Sequence, residues 1–380
     1  MRTVPFGRPM IFEEEREGVQ RVLEGTTLTH GPSVKAFELS FAEFTGAPHA
    51  IGVATCMAAL HLAYLAINLG PGDEVLVAAQ THVATAHAVE ICGATPIFVD
   101  CDSSTGNVDL DDLESRITDR TRAIGIVHYL GLPLDLDRLM AVAKRHDLYV
   151  VEDCAISLGA THRGTHVGLI GDVGTFSFYP IKHITTGEGG MVITRRADIA
   201  ERISRQRAFG IDRNVVADRR HTGEYDVVDV GLNYRLSEIG AAIGVVQMER
   251  LPGFLKVRAR NYRRLAAGLQ GLEGVTQINS DDDGERKASH YCLSLVLDES
   301  LATRRAEIID ALKVRGVGTS VYYPKSLPDL AYYAEKYGYE RGSCPNASRI
   351  SDASIAFPVA PHISDEDIDY VIEVVREELR

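Results

Sequence analysis

The chain predicts an α/β fold: a large, mostly parallel central sheet flanked by helices, plus a smaller C-terminal α/β domain. Three observations carry this. From about residue 34 to 195, short Val/Ile-rich runs alternate with helix-period stretches. The runs are continuously apolar rather than alternating, as in strands covered on both faces. From His290 onward a second, shorter set of strand and helix patterns begins. Strands spaced by helices imply right-handed crossovers and parallel neighbours.

The elements follow in order. Val34, Phe37, Phe41 and Phe44 share one helical face, and Gly46 stops that helix. Ile51–Ala54 reads as a strand and Met57–Leu69 as an apolar helix closed by Gly70-Pro71-Gly72. Strands are expected at Glu74–Ala78, Pro96–Val99, Ala123–His128 and Leu148–Glu152. Helices are expected at Val83–Cys92, Leu110–Ile117 and Leu136–His146. Beyond Thr194 the texture changes. Ile199–Arg207 and Leu236–Leu251 read as helices, with a charged loop at Gly210–Tyr225 between them. Pro252 is expected to interrupt, and Leu255–Leu269 to resume as a separate helix. The C-terminal unit reads as strand Cys292–Leu297, helix Ala306–Val314, strand Thr319–Tyr323 and helix Asp365–Leu379. The expected division is a large domain over 1–255 and a small one over 256–380.

With 380 residues, 45% of them hydrophobic and 24% charged, the chain can bury a sizeable core. A net charge of −13 argues against nucleic-acid or anionic-membrane partners. An anionic small substrate must then be held by local basic groups. The six cysteines show no CxxC spacing, and several sit in apolar runs as buried thiols do. No metal site is expected. Met1–Met10 has no apolar signal-peptide core, and no apolar run is long enough for a membrane span. The expectation is a cytoplasmic enzyme.

Ligands of open α/β sheets bind beyond the carboxyl ends of the strands. Thr55-Cys56-Met57, Thr81-His82 and Asp153 all fall at such ends. The turn at Thr55 offers free N–H groups at a helix start, serving either a phosphate or a plain N-cap. His82 can stack on a flat ring or cap its helix. Asp153 follows Val150-Val151-Glu152 at a strand end, and can also cap the next turn. Lys182 follows 29 residues later (182 − 153 = 29). Its neighbours Phe176, Phe178, Tyr179, Pro180 and Ile184 disfavour a fully solvated surface lysine. Ser177 can reach a phosphate near it at strand spacing, and Gly187-Glu188-Gly189-Gly190 permits a tight turn. An acid at a strand end and a lysine in an apolar setting suit pyridoxal 5'-phosphate. The lysine makes a Schiff base with the cofactor aldehyde, and the acid keeps the pyridine nitrogen protonated.

Taken together, these segments resemble the DegT/StrS family of sugar aminotransferases, a branch of the fold-type I pyridoxal phosphate enzymes. The likeness runs through THGPSVKAFE, GDEV with THVATAHAV, HYLGLPLDLDRL, VEDCAISLGA, GDVGTFSFYPIKHITTGEGGMVIT, GLNYRLSEIGAAIG and SVYYP. It covers nearly the whole chain, and the FSFYPIKHITTGEGG stretch is its most specific part. The resemblance implies that Lys182 is the Schiff-base lysine and the base of the 1,3-proton shift, and that Asp153 partners the pyridine nitrogen. It implies phosphate contacts from Ser177 and the Thr55-Cys56-Met57 turn, and a ring stack from His82. Asn233 matches an asparagine that reaches the phosphate from a neighbouring subunit, which implies a homodimer with shared active sites. Tyr322 or Tyr323 resembles the sugar-facing end of the small domain. Two departures stand out. Ile156 replaces a usual Gln or His, and Met57 cannot supply the hydroxyl of the usual phosphate turn.

Lysine rather than histidine at 182 favours transamination over the dehydration run by some relatives through pyridoxamine phosphate. The implied reaction moves an amino group from an amino acid, glutamate foremost, to a nucleotide-linked keto sugar such as a 4-keto-6-deoxyhexose. A 3-keto sugar or cyclitol acceptor is the alternative. Arg213, Arg219 and Arg220 suit a sugar-nucleotide pyrophosphate, or form a solvated charged loop.

Overall fold

The computed structural model describes residues 2–212 and 225–379. The chain enters through α1 (Glu13–Glu24) and α2 (Pro32–Thr45). Next come β1 (His49–Val53), α3 (Cys56–Ala66), β2 (Glu74–Ala78), α4 (Val83–Ile91) and β3 (Thr95–Val99). Then follow α5 (Leu110–Ser115), β4 (Thr121–Val127), α6 (Leu136–Arg145) and β5 (Tyr149–Asp153). A small hairpin, β6 (Thr161–His162) and β7 (Thr165–His166), precedes β8 (Val173–Ser177), β9 (Gly190–Thr194) and α7 (Ala197–Gln206).

Seven strands form the central sheet in the order β1-β9-β8-β5-β4-β2-β3. Pairing is parallel from β8 through β5, β4 and β2 to β3. β9 is antiparallel to both β8 and β1. Six of the seven strands therefore run one way, and their carboxyl ends share one edge. The sheet is mostly parallel, as its apolar strands predict, and β2 is buried along its whole length. On one face Phe37 and Phe41 of α2 meet Phe178 and Phe176, each pair with ring centroids 5.0 Å apart. Contacts of this kind bury most of the apolar surface that stabilises the fold.

β10 (Ile211–Asp212) and β11 (Asp226–Val227) pair on either side of the undescribed stretch. α8 (Glu238–Gly268) then runs for 31 residues straight through Pro252. This corrects the expected interruption. Proline removes one backbone donor, but Pro252 is exposed, while Met248 and Leu251 before it and Arg258, Tyr262 and Leu265 after it are buried. Packing on both sides outweighs the lost bond. The expected 255/256 division thus falls inside a helix. The helix also starts later than Leu236, because Ser237 caps it by accepting from Gly240 N–H at 3.1 Å.

The C-terminal part comprises β12 (Val275–Gln277), β13 (Arg286–Lys287), β14 (Leu293–Leu297), α9 (Glu299–Ala302) and α10 (Arg305–Val314). It ends with α11 (Ala331–Tyr337), α12 (Pro345–Ala353), β15 (Ser354–Phe357) and α13 (Asp365–Glu378). β12, β14 and β15 make an antiparallel sheet. The strand expected at Thr319–Tyr323 is only a single bridge, Ser320 to Ala356, because the segment then turns to the main sheet. Gln80, just past β2, donates to the Tyr322 carbonyl at 2.9 Å and holds it there. Leu327 N–H donates to Ala79 O at 2.9 Å, and the Asp100 carboxylate accepts from Asn346 and Ala347 N–H. These bonds seat the C-terminal part against the carboxyl ends of the strands. Among the described residues, no helix is long and apolar enough to cross a membrane.

Candidate active site

The strand ends converge on one region. β1 stops at Val53, and Thr55 caps α3 by accepting from Ala58 N–H at 3.0 Å. The Cys56 and Met57 N–H groups of the first turn have no intrahelical acceptor. Gly190 pairs with Val53 on one side and Ser177 on the other. A Cβ at Gly190 would lie 2.5 Å from the Thr55 carbonyl oxygen, so only glycine lets β9 come this close to the α3 start. The α3 amides and Ser177 consequently flank a single glycine. The Ser177 hydroxyl is half-buried and weakly accepts from Tyr179 N–H at 3.4 Å.

Asp153 ends β5 and is buried. Its Oδ2 accepts from the Thr85 hydroxyl at 2.8 Å and its Oδ1 from Ala155 N–H at 3.0 Å. The capping contact is present, and Thr85 and Ala155 together hold the carboxylate in one orientation. His82 likewise caps α4, its Nδ1 accepting from Ala84 N–H at 3.1 Å, while its ring sits 5.8 Å from that of Tyr323.

Lys182 sits in the loop between β8 and β9. Phe178 O accepts from Thr186 N–H at 3.0 Å and from the Thr185 hydroxyl at 3.1 Å, and Gly187 turns the chain with φ +82°. The half-buried Lys182 places its Nζ 5.3 Å from the ring centroid of Tyr291. The ring of its neighbour His183 lies 5.7 Å from that of Tyr291, with Nε2 3.1 Å from Ser289 O, and burial pushes that imidazole well below its usual pKa. The fields of Lys182 and Asp153 meet on the same side chains. Burial, then Asp153, pushes the Cys56 thiol well up while Lys182 opposes them. Desolvation lowers His82, Asp153 raises it and Lys182 lowers it. Asp153 also acts on Tyr323. Lysine, acid, helix start and tyrosine pair thus belong to one constellation.

Other expected residues lie differently. Asn233 is exposed, and its Oδ1 accepts from Arg235 Nε at 2.9 Å rather than meeting the lysine or the acid. The backbone beside it runs along β1, with Ala54 N–H donating to Tyr234 O at 2.8 Å. Tyr322 is buried and shares a 2.9 Å hydroxyl contact with Tyr291. Its carbonyl also accepts from the Tyr129 hydroxyl. Ile156 is fully buried in the core. Arg213, Arg219 and Arg220 lie outside the described residues. Thr85, Gln80 and Tyr291 were not singled out in the sequence. Thr85 was findable, being three residues after His82 on the same helix and so on the same face. Tyr291 precedes a strand in an irregular segment and gives no periodic signal.

The sequence pattern of the DegT/DnrJ/EryC1/StrS aminotransferase family matches residues 9–376. The chain belongs to that family. It is 37% identical over 378 residues to the spore coat polysaccharide biosynthesis protein SpsC of Bacillus subtilis, covering 98% of this chain and 96% of SpsC. Its fold superposes on Spr1654 from Streptococcus pneumoniae in the PMP form, with TM-score 0.93, 29% identity and 99% of each chain covered. It also superposes on the sugar aminotransferase CalS13 from Micromonospora echinospora, with TM-score 0.89 and 33% identity, covering 99% of this chain and all of CalS13 (100%). This aminotransferase uses pyridoxal phosphate. Its residues fit the cofactor: the α3 amides and Gly190 leave room for an anion, Asp153 is a fixed carboxylate, and the Lys182 amine acts with Asp153 on Cys56 at the α3 start.

Proposed function

We propose that this aminotransferase moves an amino group from glutamate to a nucleotide-linked keto sugar, a 4-keto-6-deoxyhexose, on the way to an amino sugar. One observation carries the reading: Gly190 seats the start of α3 against Ser177 at the end of β8, β8 pairs with β5, which ends in the held carboxylate of Asp153, and Lys182 follows Ser177 by five residues. Bound there, pyridoxal phosphate supplies an aldehyde to carry the amino group and a ring that draws electrons from the substrate carbon. Thr55, the Cys56 and Met57 amides and Ser177 hold its phosphate. Asp153, oriented by Thr85 and Ala155, keeps the proton on the ring nitrogen, and His82 packs on the ring face. Lys182 takes the proton from the donor α-carbon at Nζ and hands it on. Tyr322 and Tyr323 line the sugar side, and Arg213 and Arg219 meet the pyrophosphate. The sugar class draws support from SpsC, named for polysaccharide biosynthesis, and from CalS13, a sugar aminotransferase.

The working form is a homodimer. Phe209, Tyr225, Val227, Val228 and Val230 are all exposed around the β10–β11 pair, and a second copy covers them. Asn233, exposed at the end of that segment, then reaches the partner's cofactor phosphate.

The test is an absorbance spectrum of the purified protein before and after glutamate. A visible band that converts on adding glutamate, and returns with one nucleotide-linked 4-keto sugar, supports the reading. A band that glutamate leaves unmoved removes the donor. Turnover with 3-keto sugars alone corrects the acceptor.

A further inference from the structure

Several groups meet on Tyr291, among them the His183 ring, 5.7 Å away centroid to centroid. Lys182 Nζ lies 5.3 Å from its ring centroid, and the Arg258 guanidinium lies 5.8 Å from the same centroid. The Tyr291 hydroxyl is 2.9 Å from that of Tyr322, and its N–H donates to Leu130 O at 3.1 Å. Arg258 Nη1 donates to the Tyr291 carbonyl at 3.0 Å. The ring is therefore pinned by its backbone on both sides and by its own hydroxyl at the far end.

Arg258 is the unusual member. It is 2% exposed, and among the described residues no carboxylate pairs with it. Among the described residues its Nε has no acceptor. Burying a guanidinium without a counter-charge is costly, and a neutral residue would fill the same space at less cost. Carbonyl capping alone does not account for a cation here; its carbonyl contact and its ring contact are both with Tyr291.

We propose that Tyr291 is the aromatic seat of the Lys182 amine, and that Arg258 is a positioning residue that fixes this seat. This rests on Lys182 being the Schiff-base lysine. An amine that has left the cofactor must wait close by, correctly aimed, while it carries the transferred proton as an ammonium group. The negative face of an aromatic ring attracts an ammonium group without offering it a carboxylate to bond. Such a seat holds the flexible lysine chain near the reacting carbon without trapping its proton. Tyr322 links the seat to the sugar-facing end of the C-terminal part. The lysine's waiting position and the acceptor side are thereby coupled through one hydroxyl contact.

The experiment compares full-length Tyr291→Leu and Tyr291→Phe with the parent protein in two measurements. The first is the rate at which the visible band forms when pyridoxal phosphate is added to the cofactor-free protein. The second is the single-turnover reaction with glutamate. Tyr291→Leu should slow both about tenfold, with half-saturating glutamate changed by less than about twofold. Tyr291→Phe, which keeps the ring and loses the Tyr322 contact, should recover most of that loss. Arg258→Met should fall between the two. A Leu variant as fast as the parent overturns the seat, and so does a Phe variant as slow as Leu. If Leu fails to melt cooperatively, Tyr291→Met fills the space without a ring and takes its place in the comparison. Borohydride trapping separates the two levels. A label on another residue removes the Lys182 reading itself, whereas a label on Lys182 with indifferent Tyr291 variants removes only the seat.

Discussion

The Thr85 hydroxyl donates to Oδ2 of Asp153 at 2.8 Å, tying the first turn of α4 to the end of β5. Thr85 is itself buried and lies 3.1 Å, oxygen to oxygen, from the hydroxyl of Thr81. The carboxylate cannot swing without breaking this contact. Thr85→Val keeps the shape and removes the donor. Losing a buried hydrogen bond to a charged acceptor costs about 1.5–3 kcal/mol. Cofactor affinity should therefore fall by about tenfold or more, measured by titrating the cofactor-free protein with pyridoxal phosphate. An unchanged affinity would mean that the orientation of Asp153 does not matter to the cofactor.

Lys182→Ala removes the amine and little else. The side chain is half-buried, and its loop is held by Phe178, Thr185, Thr186 and Gly187 rather than by the lysine. The visible band and all amino transfer should disappear, while the unfolding free energy changes by about 0.5 kcal/mol or less. Denaturant melts of the two proteins check the second part. A variant that kept its transfer rate would falsify the role given to the lysine.

Much of this site was legible because it depends on where strands end. Asp153 follows Val150-Val151-Glu152 at a strand end and Thr55 precedes an apolar helix, and both signals are local. What escaped depends on distant pairing. That Ser177 and Val53 flank Gly190 requires β9 to insert between β1 and β8, which nothing in either strand announces. Pro252 was misread because tertiary packing on both sides of it outweighs its helix-breaking tendency. The segment at Thr319–Tyr323 has strand-like residues, but its pairing is overtaken by Gln80 and Tyr129 reaching for the Tyr322 carbonyl. Tyr291 and Arg258 are far apart in sequence, and the contact that gives each its meaning is with the other.

Stability should decline in mild acid because the fold buries histidines in their neutral form, His166 and His183 among them. Burial pushes His166 down to about 4. Its Nε2 accepts from Gly159 N–H at 2.9 Å, and its Nδ1 faces Val167 O at 2.6 Å, so the fold holds the neutral ring. A proton on Nε2 would oppose the Gly159 donor. Between about pH 6.5, the ordinary histidine value, and about 4, the unfolded chain takes this proton and the folded one does not. Stability is thus full above about 6.5 and falls as pH drops, by about 3 kcal/mol in total at this residue. His183, also pushed down by burial, acts in the same direction. Melting temperature against pH checks this. His166→Gln, which cannot take the proton, should show a shallower slope over that window even if it melts lower throughout.

Gly190→Ala should damage cofactor binding and stability together. The added Cβ would meet the Thr55 carbonyl oxygen at 2.5 Å, the Thr55 carbonyl carbon at 2.6 Å and Cys56 N at 2.8 Å. All three are backbone atoms that cannot rotate aside. Either β9 or the first turn of α3 must move, and both changes separate the α3 amides from Ser177. Overpacking of this kind costs about 1–3 kcal/mol. Affinity for pyridoxal phosphate should fall by more than about tenfold if, as proposed, the displaced groups hold its phosphate. Gly46→Ala is the matched control. That glycine ends α2 at φ +74° with nothing within 4 Å of an added Cβ, so the change introduces backbone strain alone. It should cost about 1 kcal/mol of stability and leave cofactor affinity as it was. Equal losses of affinity in both variants would show that general destabilisation, not loss of the phosphate contacts, governs binding.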